Sequence, residues 1–134
     1  MSPAFTAIKD DFDFLDEWED KYRFVIDLGK DYAALPDADC TAERKILGCA
    51  SQVWLKLDVQ DDMVRFQGNS DALIVRGLVA ILASLYDGQS LPAARDIDAT
   101  AAFAQLGLDQ HLSAQRSNGL RAMIARVTQV LHDA

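Results

Sequence analysis

Hydrophobic positions follow two different periods along this chain, and the switch between them marks its elements. Leu15, Trp18, Tyr22, Val25 and Leu28 recur at three- and four-residue steps, which predicts an amphipathic helical stretch from about Ser2 to Leu28, broken near Asp13 and stopped by Gly29. Its opposite face is acidic, with Asp10, Asp11, Asp13, Asp16, Glu17, Glu19 and Asp20 against Lys9 and Lys21. Such a face is either simply solvated or a contact for a basic patch on a partner. Between Lys30 and Leu47 the periodicity fades, and Pro36, Asp37 and Asp39 mark a connection expected to lie outside the core.

At Val53 the period becomes two. Val53, Leu55, Leu57 and Val59 alternate with Trp54, Lys56 and Asp58, Gln60-Asp61-Asp62 reads as a turn, and Met63 to Gln67 alternates again, so a β-hairpin and a small antiparallel sheet are predicted. Asn69-Ser70-Asp71 supplies cap residues for a helix from Ala72 to Tyr86 that is apolar almost all round and closes on Asp87-Gly88; this is the expected centre of the core. Gly77 inside it costs about 1 kcal/mol relative to alanine, which is best offset where another backbone comes close. A short helix follows Ser90-Leu91-Pro92, another spans about Ala99 to Leu106 behind Asp98, and the last runs from Ser113 through Leu120, Met123, Ile124, Val127, Val130 and Leu131, interrupted early by Gly119. No linker or repeat divides residues 1–134, so one α+β domain is expected, a small antiparallel sheet packed against several helices.

Composition narrows the function classes. A chain of 134 residues is long enough to bury about two thirds of its unfolded surface and needs neither metal nor disulfide for stability. With 21 acidic against 13 basic residues, a net charge of −8 repels phosphate backbones and anionic lipid, which argues against nucleic acid and membrane as partners. The start, Met1-Ser2-Pro3-Ala4-Phe5, lacks a secretory pattern, and the longest charge-free apolar run, from Gly77 to Tyr86, is far short of the roughly 20 residues that span a bilayer. A cytoplasmic location is expected, where Cys40 and Cys49 are free thiols and, with only His111 and His132 beside them, do not make a zinc set.

The candidate chemistry therefore rests on a thiol. Cys49 sits in Gly48-Cys49-Ala50-Ser51-Gln52 ahead of the first strand, in a loop that Gly48 allows to turn tightly and either present the sulfur or fold it back. Cys40, flanked by Asp39, has an acidic neighbour that disfavours its thiolate and reads as an incidental exposed cysteine. Arg44 and Lys45 are near Cys49 in sequence and are candidates for raising its thiolate fraction. Asp71 reads most simply as a helix cap and alternatively as a pin on the Cys49 loop, while Ser51 and Gln52 are placed to hydrogen-bond that loop. Trp54 reads as packing.

Four blocks carry a resemblance. Tyr22-Arg23 with Asp27-Leu28-Gly29-Lys30, Gly48-Cys49-Ala50-Ser51-Gln52-Val53-Trp54, Ser70-Asp71-Ala72-Leu73-Ile74-Val75-Arg76-Gly77-Leu78, and Gln110-His111-Leu112-Ser113 with Arg116-Ser117-Asn118-Gly119-Leu120 together resemble the SufE family, sulfur acceptors of cysteine desulfurases, over nearly the whole chain. Leu47 and Ala114 stand where the family commonly has proline, and Ala50 where it commonly has glutamine. The resemblance implies a SufE/IscU-like α+β fold, similar to the scaffolds on which iron–sulfur clusters are built. It also implies an accessory role rather than an independent enzyme.

By that resemblance Cys49 takes a persulfide sulfur from a pyridoxal-phosphate cysteine desulfurase of the SufS or CsdA type and relays it to a SufB-like scaffold, stimulating desulfuration. No cofactor of its own is implied, because the pyridoxal phosphate belongs to the desulfurase; self-association as a homodimer stays open. Gly48, Ser51, Gln52, Asp71 and Arg116 are the expected loop or partner contacts, with Arg116 either reaching the loop or remaining a solvated first-turn arginine. A shielded resting state for Cys49 is a further expectation. The competing readings are a cluster scaffold, which typically needs several cysteine ligands, a cysteine hydrolase using His111 or His132 as base, and a redox pair of Cys40 with Cys49.

Overall fold

Ser2 sets the start of the first helix, α1 (Pro3–Phe14). Its hydroxyl oxygen accepts the Phe5 N–H at 3.1 Å, and Pro3 fills a first-turn position whose missing donor costs nothing. The same hydroxyl donates to the Ser84 carbonyl, which ties the helix start to the core. The computed structural model describes residues 2–134. Among them are seven helices, two 3-10 turns and a two-stranded antiparallel sheet, an α+β architecture.

The chain breaks between α1 and α2 (Trp18–Asp31) at residues 15–17, slightly later than the expected position near Asp13. Gly29 does not stop the helix. It is buried inside α2, and a Cβ there would lie 2.4 Å from the Leu73 carbonyl oxygen, while a Cβ on Gly77 would lie 2.1 Å from that of Val25. The two glycines form a seam where α2 and the core helix α3 (Leu73–Tyr86) touch backbone to backbone. That contact is the close approach expected at Gly77, with Gly29 as its unforeseen second half.

The hairpin is as predicted in kind. β1 (Val53–Gln60) pairs with β2 (Met63–Ser70) in a register that sets Val53 against Ser70 and Gln60 against Met63. Asp61 and Asp62, at φ 52° and 63°, make the two-residue turn whose twist matches that of paired strands. Val53, Leu55, Val64 and Phe66 are buried, and β2 packs directly on α3, where Leu78, Val79, Ile81, Leu82 and Leu85 are fully buried.

The connection between α2 and β1 is more than a connection. Leu35 and Ile46 are 1% and 4% exposed and enter the core, because each is held by a backbone bond to the hairpin: Leu35 N–H to Gly68 O at 2.9 Å and Ile46 N–H to Val53 O at 2.8 Å. The expected side-chain cap on α3 is also absent. Ala72 is the N-cap, and Ser70 Oγ instead accepts the Ala72 N–H at 3.2 Å, which frees Asp71 for another contact.

Beyond Asp87-Gly88 the chain adds α4 (Leu91–Arg95), α5 (Ala99–Gln105), a four-residue α6 (Leu108–His111) that the sequence pattern does not announce, and α7 (Ala114–Asp133). Ser90, Asp98 and Ser113 cap α4, α5 and α7 through their side-chain oxygens. Gly119 does not interrupt α7, which runs through it without a break. Met123, Val127 and Leu131 bring the inner stripe of α7 into the same hydrophobic cluster as α3 and the hairpin.

Candidate functional site

Residues 47–52 leave the core between two tethers. At the base, Ile46 N–H binds Val53 O and Lys45 bridges to Trp54 across the same ladder. Beside them Gln52 and Asp71 bond reciprocally: Gln52 N–H donates to the Asp71 carboxylate at 3.0 Å, and Asp71 N–H donates to Gln52 O at 3.2 Å. Asp71 is therefore not a helix cap but a fastening for the loop, the alternative that the sequence left open.

Gly48 turns the loop at φ 89°, a left-handed conformation that glycine adopts without strain. The turn folds Cys49 back onto α7. Its thiol donates to the Gly119 carbonyl at 3.7 Å, within range for a sulfur donor, and a Cβ on Gly119 would stand only 3.3 Å from Sγ. The helix interior thus has a gap that the sulfur occupies.

A cavity of about 250 Å³ opens beside the thiol. Val75 and Leu78 from α3 and Leu120 and Met123 from α7 form its apolar wall, and Ser51, Ser113, Gln115 and Arg116 its polar side. Arg116 reaches this cavity through its place in the first turn of α7, where Ser113 caps its N–H at 3.3 Å, and Nη1 donates to the Tyr22 hydroxyl of α2 at 2.9 Å. The guanidinium therefore spans from the thiol's cavity to α2 and is not merely solvated.

Burial alone sets the acidity of Cys49. Desolvation pushes its pKa above the ordinary thiol value and no charged group offsets the rise. The expected help from Arg44 and Lys45 is missing for geometric reasons. Arg44 Nη1 donates to the Asp39 carbonyl at 2.9 Å and lies 3.9 Å from its carboxylate, Lys45 pairs with Trp54 through its backbone, and neither charge shifts the thiol. The Cys49 side chain is half-buried, and its burial favours the neutral thiol over the thiolate.

Cys40 occupies a different place. Its thiol is in reach of the Leu35 and Pro36 carbonyls at 3.8 and 3.5 Å, and Asn69 Nδ2 points at it from 3.9 Å. Burial raises its pKa first of all; the Asn69 bond lowers it, and Asp37 and Asp39 raise it further, so the acidic neighbours act in the expected direction as a lesser cause. It is half-buried rather than freely exposed. Neither histidine faces the Cys49 cavity: His111 stacks on Trp18 with ring centroids 3.9 Å apart, and His132 is exposed beside Asp133.

Tyr22 and Gly119 belong to this site although spacing alone assigns them no role there. For Gly119 a signal existed, since a glycine inside an amphipathic helix implies close approach by something, as at Gly77. Arg126 is a further addition. It reaches from α7 to the Glu43 and Lys45 carbonyls at 3.4 and 3.3 Å and steadies the approach to the loop. Among the described residues no helix is long and apolar enough to cross a membrane.

Residues 6–131 match the family model SufE, described as the Fe-S metabolism associated domain. An uncharacterized SufE-like protein of Rhizobium meliloti is 52% identical over 124 residues, covering 90% of this chain and 89% of its own. A second, from Rhizobium etli, is 48% identical over 126 residues, covering 91% and 85%. The solution structure of a hypothetical protein from Thermus thermophilus superposes with a TM-score of 0.79 over 100% of this chain and 97% of that one, at 18% identity, a likeness of fold.

Proposed function

The chain belongs to the SufE family of Fe-S metabolism proteins, and from that premise we propose that Cys49 accepts sulfur from a cysteine desulfurase of the SufS or CsdA type and relays it to a SufB-like scaffold. The observation that carries the proposal is the setting of Cys49: a thiol on a fastened loop, folded against α7 beside a cavity, with no base and no second thiol in its surroundings. Nucleophilic catalysis on a carbonyl calls for a positioned base, whereas sulfur exchange does not.

The transfer balances with sulfur alone. The Cys49 thiolate attacks the outer sulfur of the desulfurase persulfide, a new S–S bond forms to Cys49, the old S–S bond breaks, and the desulfurase cysteine departs as thiolate. Only the outer sulfur changes owner, and no external oxidant, reductant or cofactor enters the exchange. The proton on Cys49 must leave first. Since burial holds that proton on, acceptance requires the loop to open into a setting where the thiolate is stabilised, and the partner's surface supplies that setting. Asp71 and Gln52 hold the loop closed until then, while Ser51 only lines the cavity, and Arg116, linked to Tyr22, stands at the edge of the opening for the partner to meet.

Mass spectrometry after incubation with a cysteine desulfurase and L-cysteine tests the proposal. One added sulfur, about 32 Da, is expected on the peptide bearing Cys49. An unmodified Cys49 in the presence of an active desulfurase rejects the relay.

A further inference from the structure

Gly119 lies six residues into a 20-residue helix, where alanine is the better helix former, and the helix runs through it without a break. Its φ is not left-handed, so backbone conformation does not call for glycine there. The neighbour does. A Cβ at position 119 would meet Cys49 Sγ at 3.3 Å, Cys49 Cβ at 3.6 Å and Cys49 Cα at 3.8 Å, so all three of its nearest contacts belong to one residue. The carbonyl of Gly119 is also the acceptor for the thiol. By contrast, a Cβ at Gly48, on the loop itself, would meet nothing nearer than Ala122 Cβ at 4.0 Å.

We infer that Gly119 is a positioning residue for sulfur transfer: by leaving out its side chain it makes the berth in which the Cys49 thiol rests, and so sets how much of the time the loop is closed. The inference rests on Cys49 being the sulfur acceptor for its significance, but the berth itself is a property of the isolated protein. A methyl group at 119 sits tighter against Sγ than an ordinary contact permits. α7 is a continuous helix whose inner stripe is part of the hydrophobic core, while the loop is fastened at its base and otherwise rests on the thiol contact itself, so the loop is the part that yields. A shift of a few tenths of an ångström relieves the contact; it stretches the 3.7 Å bond to the Gly119 carbonyl and tips the balance toward a thiol that meets water. Among the described residues Arg116 is the only charged side chain along the cavity, and its guanidinium is engaged by Tyr22, so solvation is what changes at the sulfur.

Two measurements on the Cys40→Ser background test this. In Gly119→Ala, alkylation of Cys49 by a bulky maleimide should be at least threefold faster, and the pH midpoint of that reaction should fall toward the ordinary thiol value, while thermal stability is unchanged or higher. A merely structural role for Gly119 would lower stability and leave the pH midpoint in place. An unchanged alkylation rate and midpoint in the folded variant overturn the berth. Should Gly119→Ala not fold, the unsubstituted chain decides: a strong nuclear Overhauser effect between the Gly119 α-protons and the Cys49 β-protons supports the berth, and its absence overturns it. Sulfur loading is read separately by mass. A berth failure with loading intact leaves the relay standing, and a loading failure with the berth intact rejects the relay alone.

Discussion

Cys49 and Cys40 are both half-buried, both raised in pKa chiefly by burial, and both in contact with main-chain carbonyl groups. Acidity at rest does not tell them apart. Surroundings do: Cys40 is wedged among the carbonyls of its own turn and the Asn69 amide, which also holds Leu35 O at 2.9 Å, whereas Cys49 rests against another helix and faces a cavity. One sulfur is built into a joint, and the other lies on a loop folded against a neighbouring helix. What distinguishes Cys49 is its place on a loop against another helix and beside a cavity, not a lowered pKa.

The sharpest way to break the contrast is to delete each sulfur. Cys49→Ser should abolish the added mass after incubation with desulfurase and L-cysteine, and Cys40→Ser should retain it; loading of the Cys49→Ser variant at Cys40 would erase the distinction. Next in size, Asp71→Ala removes the acceptor that holds Gln52. Alkylation of Cys49 should then accelerate about tenfold, the consequence of losing roughly 1.4 kcal/mol of closure, with Cys40 unaffected. Equal acceleration at both cysteines would indicate general loosening.

Asn69→Ala makes the reverse cut. It strips the buried amide from the Cys40 joint and should lower unfolding free energy by about 1–3 kcal/mol in urea titration, while sulfur loading at Cys49 persists. The smallest effect is on pH. Both thiol pKa values are raised in the folded state, so their contribution to stability is complete below the unfolded thiol value and is lost as pH rises through the folded value. The urea midpoint should therefore decline in the alkaline range, less so when both cysteines are serine. A decline identical in the two proteins would assign it to other groups, Tyr86 among them, whose pKa burial pushes up to about 12.

Legibility in the sequence divides along the same line as the two thiols. Patterns generated by one element's own periodicity could be read directly: the hairpin from its alternation, α3 from its all-round apolarity, α7 from its stripe, and the close approach at Gly77 from the cost of a glycine that a helix would otherwise reject. Contacts whose partner lies far along the chain could not. Asp71 has the composition of a cap and becomes a fastening because Gln52 N–H, 19 residues away, arrives first. Gly29 has the look of a stop and becomes a seam because Leu73 and Gly77 lie against it. Arg44 is close to Cys49 in sequence, yet the Asp39 carbonyl holds its guanidinium. Leu35 and Ile46 sit in a stretch without periodicity, and only the edges of the hairpin give them a place in the interior.

The aspartate pair that reverses the hairpin offers a practical handle. Asp61 and Asp62 follow directly on Gln60, which lies seven steps along β1 from Val53, about 23 Å from where the segment bearing Cys49 joins that strand. A fluorescent reporter placed on that reversal would travel with the hairpin yet stay clear of the Cys49 cavity, so the proposed encounters with a desulfurase could be counted without the dye taking part in them.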